Sequence, residues 1–434
     1  MRIGLKRVDI TPDAALPMGG NAHADSVARS VHDPLYANII VLQGDQERVV
    51  LIEVDLLGVP ETFSRRIKEA AAVNAGVGPE NIQLNAIHTH SAPDVTLLSA
   101  EILDYAEKIS KAIGNGVREA CGNLFKGRVG FGSAQLDSVS FVRRIWMKDG
   151  SLRMNWEDLP AEEIAGTDGS IDPEIGIMKL TDAEGRLRGI YVNFALHPAV
   201  LVGYGNAYSK DWVWGLDEEL HKRWGKDVLV FFANGAEGNI NHINLRDPHQ
   251  GRDFDEAYRI GKAVAERVSA ALPDISAEET GDVRMAYHQA SIARRPLRPE
   301  TEAWADDLVK RCGGVIPDQL DGLPDEYYAM DYQIYKKLAE YINVDLQVLR
   351  VGNALFYTIP GEGFCQMGLR LKRKTPGRPC FVVGLANNYA GYIPTLEAFD
   401  NGGYEIRMAM SSQFAVTAAY EITQRLLELS EKVR

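Results

Sequence analysis

Apolar positions along the chain form short continuous runs, and amphipathic stretches of helical period separate them. Residues 48–55 contain the apolar run Val49-Val50-Leu51-Ile52 and predict a buried strand that ends at Asp55. Residues 61–75 then predict a helix, and a second apolar run predicts a strand over 82–90. A strand, a helix and a strand in this order predict a β-α-β unit whose two strands are parallel.

The same kinds of segment continue to the end of the chain. Two short strands around a turn are predicted within 127–146, followed by a hairpin signal at 147–151. Further apolar runs predict strands over 187–197, 228–232, 346–358 and 379–386. Apolar residues at helical spacing predict helices over 101–120, 215–224, 254–272 and 411–429.

Residues 280–345 depart from this pattern. A strand gives way there to Arg294-Arg295-Pro296-Leu297-Arg298-Pro299 and a long acidic helical stretch. We expect residues 280–345 to be an insertion or subdomain packed on the core. Because no Pro/Gly/Ser-rich linker divides the chain, residues 1–434 are expected to form a single domain.

Composition and charge narrow the class of protein. The 434 residues are 45% hydrophobic and 25% charged, the composition of an ordinary soluble globular protein. The net charge of −13 disfavours nucleic acid or an anionic membrane surface as the main partner. A small-molecule substrate is therefore expected, and the oligomeric state, including a homo-oligomer, stays open.

Cysteine usage and the apolar runs predict the compartment. The four cysteines include no Cys-x-x-Cys pair and are far too sparse for a disulfide scaffold. The first residues contain no apolar run of signal-peptide length, and no segment reaches the roughly 18 apolar residues of a membrane helix. These features predict a cytoplasmic protein without stable membrane insertion.

Two histidines follow the apolar run that begins at Leu84. If the strand continues to residue 90, side chains two positions apart point to the same side, so His88 and His90 reach one spot. Imidazole is the commonest protein ligand for zinc-like metals. The pair therefore indicates a metal or catalytic site at the end of a strand, where α/β proteins bind ligands.

Other apolar runs also end in residues capable of chemistry. His197 follows one such run before Pro198, and Glu362 lies between two glycines after another. Two histidines and a glutamate at three strand ends suggest one shared site, because a catalytic zinc needs two or three such ligands and an open position. The His-x-His-x-Asp-His pattern of metallo-β-lactamases is absent, since Ser91 and Ala92 follow the pair. The regular βα alternation of amidohydrolase barrels is not found either.

One set of motifs resembles a known family, the neutral/alkaline (non-lysosomal) ceramidases. The matching stretches occur in the order of that family and cover most of the chain. They are residues 4–12, 18–20, 49–56, His88-Thr89-His90-Ser91-Ala92-Pro93, 194–198, 235–241, Pro360-Gly361-Glu362, and 387–395 with Glu397 and Tyr404-Glu405.

The resemblance implies an α/β fold with a mixed β-sheet core flanked by helices, and one zinc ion, or another divalent metal, per chain. Carried over by position, the implied metal ligands are His88, His197, Glu362 and Tyr392, with Tyr389 as the alternative tyrosine. The resemblance further implies that His90 is the acid/base. The resemblance also implies that Tyr404 and one arginine contact the scissile group. That arginine is Arg143, with Arg144 as the alternative.

The expected function is that of a zinc-dependent hydrolase, in which a metal-activated water attacks the carbonyl of a small polar substrate. The family chemistry is amide hydrolysis, and the same groups would serve a lactone or a cyclic ketone. The stretch Gly238-Asn239-Ile240-Asn241-His242 departs from the family's Gly-Asp-x-Ser-Pro-Asn, which makes ceramide itself less expected. The alternatives are a true ceramidase or N-acyl amide lipid hydrolase, and a non-catalytic metal- or ligand-binding protein.

Overall fold

Two β-sheets lie face to face at the centre of the molecule, with helices on their outer faces. The computed structural model describes residues 1–20, 26–317 and 323–434. The larger sheet contains, in spatial order, Leu229–Asn234, Leu187–Phe194, Glu174–Asp182, Phe125–Gln135, Arg2–Asp9, Tyr36–Gln43, Arg48–Val54 and Ile82–Ala86. Its two outermost pairs are parallel and its inner pairs are antiparallel.

The smaller sheet has four strands. In spatial order these are Val283–Ala293, Tyr341–Val351, Ala354–Thr358 and Cys380–Val383, of which the last two are parallel. Shorter strands are Ser30–Val31 with Ala207–Tyr208, Phe141–Val142 with Ile240–Asn241, Glu362–Gly363 with Tyr392–Ile393, and the trio Ile164–Thr167, Arg144–Met147 and Leu152–Met154.

Alternate residues of the sheet strands fill two different cores. In the strand Tyr36–Gln43, Ile39 and Val41 pack against the helices on the outer face, whereas Ile40 and Leu42 pack between the two sheets. Side chains of a strand alternate between its faces, so a strand covered on both sides is apolar at nearly every position. This explains why the apolar runs of the sequence are continuous.

The helices form the two outer layers. Helices Glu61–Ala75 and Ala100–Gly122 cover one part of the larger sheet, and Trp212–Trp224 and Phe254–Ala271 cover another. Cys365–Lys374 and Ala418–Ser430 cover the smaller sheet. The remaining α-helices of the described residues are Pro299–Cys312, Asp325–Tyr335 and Leu396–Asn401.

The predicted α/β fold class is confirmed, including the β-α-β unit with parallel strands Arg48–Val54 and Ile82–Ala86. Several predicted boundaries are wrong: the strands expected over 187–197 and 379–386 are Leu187–Phe194 and Cys380–Val383, the helix expected from 215 begins at Trp212, and three elements differ more. The strand expected over 82–90 ends at Ala86, the strand expected over 346–358 is a hairpin of two strands, and the helix expected from 411 begins at Ala418.

The segment 280–345 contributes directly to the smaller sheet. Its first and last strands, Val283–Ala293 and Tyr341–Val351, pair with each other in antiparallel register along eleven residues. The helices Pro299–Cys312 and Asp325–Tyr335 lie between these strands in the chain and pack on each other. The division of the chain into a core and an insertion stays a prediction.

The two edge strands of the larger sheet, Leu229–Asn234 and Ile82–Ala86, approach each other at their carboxyl ends. The Asn85 side-chain amide donates to the Phe232 carbonyl at 3.4 Å, and the Asn234 amide donates to the Ile87 carbonyl at 3.2 Å. Neighbouring strands rotate by roughly 20–25° each, so eight strands accumulate on the order of 140–175° of twist. Strand ends that are distant in the sheet order thereby reach one region. Among the helices of the described residues, none combines the length and apolar character needed to cross a membrane.

Candidate metal centre

His88 is placed by a turn and not by a strand. The strand ends at Ala86, and His88 has a φ of +76°, a left-handed conformation that is rare outside glycine. Its backbone N–H donates to the Leu56 carbonyl at 3.0 Å, and its ring Nδ1 lies 2.6 Å from the Leu57 carbonyl oxygen. The expectation that strand alternation aligns His88 with His90 is therefore wrong in its mechanism. The two rings still meet, with centroids 5.0 Å apart.

His197 follows the strand Leu187–Phe194 and is buried against the first turn of a helix. Its Nδ1 lies 3.1 Å from the Glu237 backbone carbonyl oxygen, and its own carbonyl accepts from Trp212 Nε1 at 3.2 Å. These contacts fix the ring so that Nε2 points toward His88, and the two Nε2 atoms are 3.1 Å apart.

Glu362 completes a convergence of three side chains. It is fully buried, and its Oε2 atom lies 3.2 Å from His197 Nε2 and 3.4 Å from His88 Nε2. Its backbone is held beside Tyr392 by the short parallel strands, with its N–H donating to the Gly391 carbonyl at 2.9 Å. The structure thus brings together His88, His197 and Glu362, which lie far apart in the sequence.

The hydrogen bonds of His88 and His197 leave three acceptor atoms facing each other, namely the two Nε2 atoms and Glu362 Oε2. A carbonyl oxygen contacting Nδ1 requires a proton there, so Nε2 of His88 and of His197 carries a lone pair when the ring is neutral. Burial lowers the pKa of His197 to about 4, which keeps that ring neutral. Histidines that bind metals typically donate their other N–H in this way. The residues present therefore fit a divalent cation.

The charge of Glu362 suits the same role. Glu362 is a carboxylate buried between two imidazoles, and no arginine or lysine pairs with it among the described residues. A buried charge is costly without a partner of opposite sign, and a metal ion supplies one.

Tyr389 and Tyr392 occupy different parts of the site. The Tyr389 hydroxyl donates to Glu362 Oε1 at 2.9 Å, and its ring lies 6.1 Å from the ring of His88. The Tyr392 ring lies 5.1 Å from the Arg143 guanidinium and 5.8 Å from the Tyr404 ring. Of the two tyrosines that the sequence offers as ligands, Tyr389 has its phenol at the histidine and glutamate cluster.

His90 borders the cluster and keeps one ring nitrogen free. Its Nδ1 lies 3.0 Å from the Gly20 carbonyl oxygen, and its buried Nε2 has no hydrogen-bond partner among the described residues. Burial, together with the neighbouring His88 and His197, holds the pKa of His90 well below its usual value. A neutral imidazole with an open lone pair can accept a proton.

The two arginines that follow Val142 have different surroundings. Arg144 is fully buried and donates to Asp168, to Glu405 and to the Gly402 carbonyl at 2.7–2.8 Å. Arg143 donates from Nε to Glu405 at 2.8 Å, and its buried Nη2 has no hydrogen-bond partner in the described chain. Arg143 therefore keeps a free donor, whereas Arg144 holds the surrounding chain together.

Aromatic rings surround the Arg143 guanidinium. It lies 5.1 to 5.7 Å from the ring centroids of Tyr392, Trp156 and Tyr404. Tyr404 and Trp156 also line a groove of about 710 Å³ with ten other residues. These are Leu152, Arg153, Met154, Glu157, Asp158, Leu323, Tyr328, Gly403, Ile406 and Arg407. Tyr404, expected at the scissile group, thus joins the Arg143 neighbourhood to an open groove.

Sequence reasoning assigned no role to two carboxylates of this region, Glu237 and Glu405. Glu237 follows the strand Leu229–Asn234, and it lies with His88, His197 and Glu362 in one group of ligand atoms within 4.8 Å of one another. Glu405 is fully buried beneath Arg143 and Arg144. A carboxylate between an apolar run and a glycine was the available signal for Glu237. Glu405 carries no comparable signal, because its partners lie about 260 residues away.

Comparisons with known proteins agree on one family. The sequence model described as neutral/alkaline non-lysosomal ceramidase, N-terminal, matches residues 1–213. The neutral ceramidase of Pseudomonas aeruginosa is 22% identical over an alignment that covers 93% of this chain and 68% of that protein. The neutral ceramidase of Drosophila melanogaster is 24% identical, with 45% of this chain and 28% of that protein covered.

The fold leads to the same relatives. The crystal structure of the Pseudomonas aeruginosa neutral ceramidase superposes with a TM-score of 0.74 at 19% identity, covering 99% of this chain and 74% of that one. A structure described as ceramidase complexed with C2 superposes with a TM-score of 0.73 over the same shares. The sequence of residues 1–213 and the fold of the whole chain are thus similar to those of the neutral/alkaline ceramidases.

Proposed function

We propose that this chain is a metal-dependent amide hydrolase whose centre is formed by His88, His197, Glu362 and Tyr389. One observation carries the proposal: His88 Nε2, His197 Nε2 and Glu362 Oε2 converge at 3.1 to 3.4 Å. Such a set of nitrogen and oxygen donors suits zinc, and a three- or four-ligand protein site leaves room for water and substrate. The Tyr389 phenol, now bonded to Glu362, is the tyrosine nearest to the centre.

The residues around the centre divide the remaining tasks of hydrolysis. A bound divalent ion supplies Lewis-acid polarisation of a carbonyl and lowers the pKa of water to about 7. The open Nε2 of His90 takes the proton of the attacking water and returns it to the leaving nitrogen. The free Nη2 of Arg143, with the Tyr404 hydroxyl, stabilises the negative charge that develops on the carbonyl oxygen.

The first candidate substrate is a small molecule with both polar and apolar parts, which the groove beside Tyr404 would accept. Charged residues line this groove beside the aromatic ones. Arg153 and Arg407 are positive, and Glu157 and Asp158 are negative. Ionic groups next to aromatic faces suit a substrate with both polar and apolar parts. The second candidate substrate is an N-acyl lipid, because the relatives that this chain matches are named neutral ceramidases.

The proposal is tested by metal analysis and by turnover. Purified protein is analysed by inductively coupled plasma mass spectrometry and assayed on short-chain N-acyl amides, lactones, cyclic ketones and long-chain ceramide. We expect one divalent ion per chain and preferential cleavage of short-chain amides. Cleavage of ceramide alone would support the lipid candidate instead, and a bound metal without turnover on any substrate would favour a binding protein.

Single substitutions separate the roles. His90→Ala should keep the metal and lose roughly 10²–10⁴-fold in kcat, because it removes only the proton acceptor. His197→Ala should lose both metal and activity. His221→Ala serves as the matched control, because that ring contacts the Val228 carbonyl at 3.0 Å on a helix outside the centre. A metal-free preparation with full activity would refute the proposal.

A further inference from the structure

Glu237 is a buried carboxylate that the proposed mechanism does not use. It follows the strand Leu229–Asn234 and is completely buried. Neither of its carboxylate oxygens has a hydrogen-bond partner among the residues that the structure describes. Buried carboxylates in proteins are nearly always paired, hydrogen-bonded or bound to a metal, so an ionised Glu237 would need a partner that the described residues do not supply.

The position of Glu237 indicates which partner that is. One of its carboxylate oxygens lies within 4.8 Å of ligand atoms of His88, His197 and Glu362. Donors bound to one zinc-sized ion at about 2.0–2.2 Å are at most roughly 4.4 Å apart. The four side chains therefore need only small rotations to reach a common ion. The backbone of Glu237 is already tied to this site, because its carbonyl oxygen contacts His197 Nδ1 at 3.1 Å.

The balance of buried charge leads to the same conclusion. The two nearby guanidiniums, of Arg143 and Arg144, are matched by the carboxylates of Glu405 and Asp168. Among the described residues, neither Glu237 nor Glu362 forms a salt bridge with an arginine or a lysine. A divalent ion and two carboxylates sum to zero charge. Burial of an uncompensated charge is strongly unfavourable.

We propose that Glu237 is a direct metal ligand, which joins His88, His197, Glu362 and Tyr389 at the centre. This inference rests on the proposed metal-dependent function. It adds a second carboxylate to the donor set, and carboxylates favour harder ions, so manganese or iron(II) should compete with zinc better than at a site with one carboxylate. Gly384 accommodates the side chain, because a Cβ atom there would lie 3.0 Å from a Glu237 oxygen.

The test measures metal affinity and coordination independently of catalysis. Metal-free wild type, Glu237→Gln and Glu237→Ala are titrated with zinc against a chromophoric chelator, and their cobalt(II) forms are compared by visible absorption. Glu256→Gln is the matched control, since Glu256 is a buried carboxylate that is paired with Arg259 at 2.7 Å. Circular dichroism verifies that each variant is folded.

Loss of a residue that only hydrogen-bonds to a metal ligand typically weakens metal affinity on the order of 10–100-fold. Loss of Glu237, a direct ligand, should weaken zinc binding by at least this much. Both Glu237 variants should also shift the cobalt(II) absorption bands, and Glu256→Gln should change neither property. Wild-type affinity and spectrum in both Glu237 variants would overturn the role of Glu237 and leave the metal centre standing. A wild-type chain that binds no divalent ion would overturn both proposals.

Discussion

Glu405 connects the stability of the molecule to the reactivity of Arg143. Its carboxylate accepts from Arg143 Nε at 2.8 Å and from Arg144 Nη1 at 2.7 Å, and all three side chains are at most 5% exposed. Glu405→Gln keeps the size of the side chain and removes its charge. Arg144 would retain Asp168 and the Gly402 carbonyl, whereas Arg143 would lose its only hydrogen-bonded carboxylate among the described residues.

The expected loss of stability follows from the burial and pairing of Glu405. Removing one partner of a buried ion pair typically costs about 3–5 kcal/mol, because a charge is left buried and unpaired. Unfolding entropy of about 2.1 cal/mol/K per residue gives roughly 0.9 kcal/mol/K for 434 residues. The Tm of Glu405→Gln should therefore fall by about 3–5 °C. If Arg143 also leaves the substrate carbonyl, kcat should fall on the order of 10²–10³-fold.

Calorimetry and steady-state kinetics on the purified variants measure both effects. Asp168→Asn is the matched control, because Asp168 contacts Arg144 but not Arg143 and is partly exposed. It should lower stability by about 1 kcal/mol or less and leave kcat unchanged. Metal content should remain that of the wild type in both variants. If Glu405→Gln matches Asp168→Asn in both Tm and kcat, the assigned role of Glu405 is wrong.

Three further predictions concern other parts of the molecule. Burial alone would raise the pKa of Asp217, but Lys210 and Arg7 hold it well below its usual value of about 3.9. A depressed carboxylate pKa stabilises the fold above pH ~4, and this stability is lost as the pH falls further. Asp217→Asn should thus cost about 3–5 kcal/mol at pH 7 and show a flatter loss of stability below pH 4. Gly58→Ala should weaken metal binding by about 10–100-fold, because its Cβ would lie 2.5 Å from Cγ of Tyr389 and displace that ring. Metal added at about 100 times its Kd should stabilise the metal-free protein by ~2.7 kcal/mol, or roughly 3 °C in Tm.

A specific measurement or control variant tests each of these three predictions, and a specific result would contradict it. Denaturant titrations from pH 2 to 7 measure the Asp217 effect, and parallel curves for variant and wild type would contradict it. Gly166→Ala is the control for Gly58→Ala, since a Cβ at Gly166 meets no atom within 4 Å. Equal metal affinity in both alanine variants would disprove the contact with Tyr389. A Tm independent of added metal would contradict the stabilisation.

The local pattern of the sequence was sufficient to predict which segments are strands or helices and to identify part of the candidate site. Continuous apolar runs predicted strands buried on both faces, and the parallel β-α-β unit around the helix Glu61–Ala75 was predicted correctly. The strand ends carrying His88, His197 and Glu362 were recognised because polar side chains follow apolar runs. These are properties of residues next to each other in the chain, and they depend on no distant contact.

Only the tertiary structure decided how those residues meet. Strand periodicity could not place His88, because a left-handed turn after Ala86 orients its ring. Which tyrosine reaches Glu362, and which arginine keeps a free donor, depends on contacts between segments more than 20 residues apart. For the same reason, the sequence alone assigned no role to the two buried carboxylates, Glu237 and Glu405. A charge is buried only where distant segments exclude water around it, and the local sequence holds no record of that enclosure.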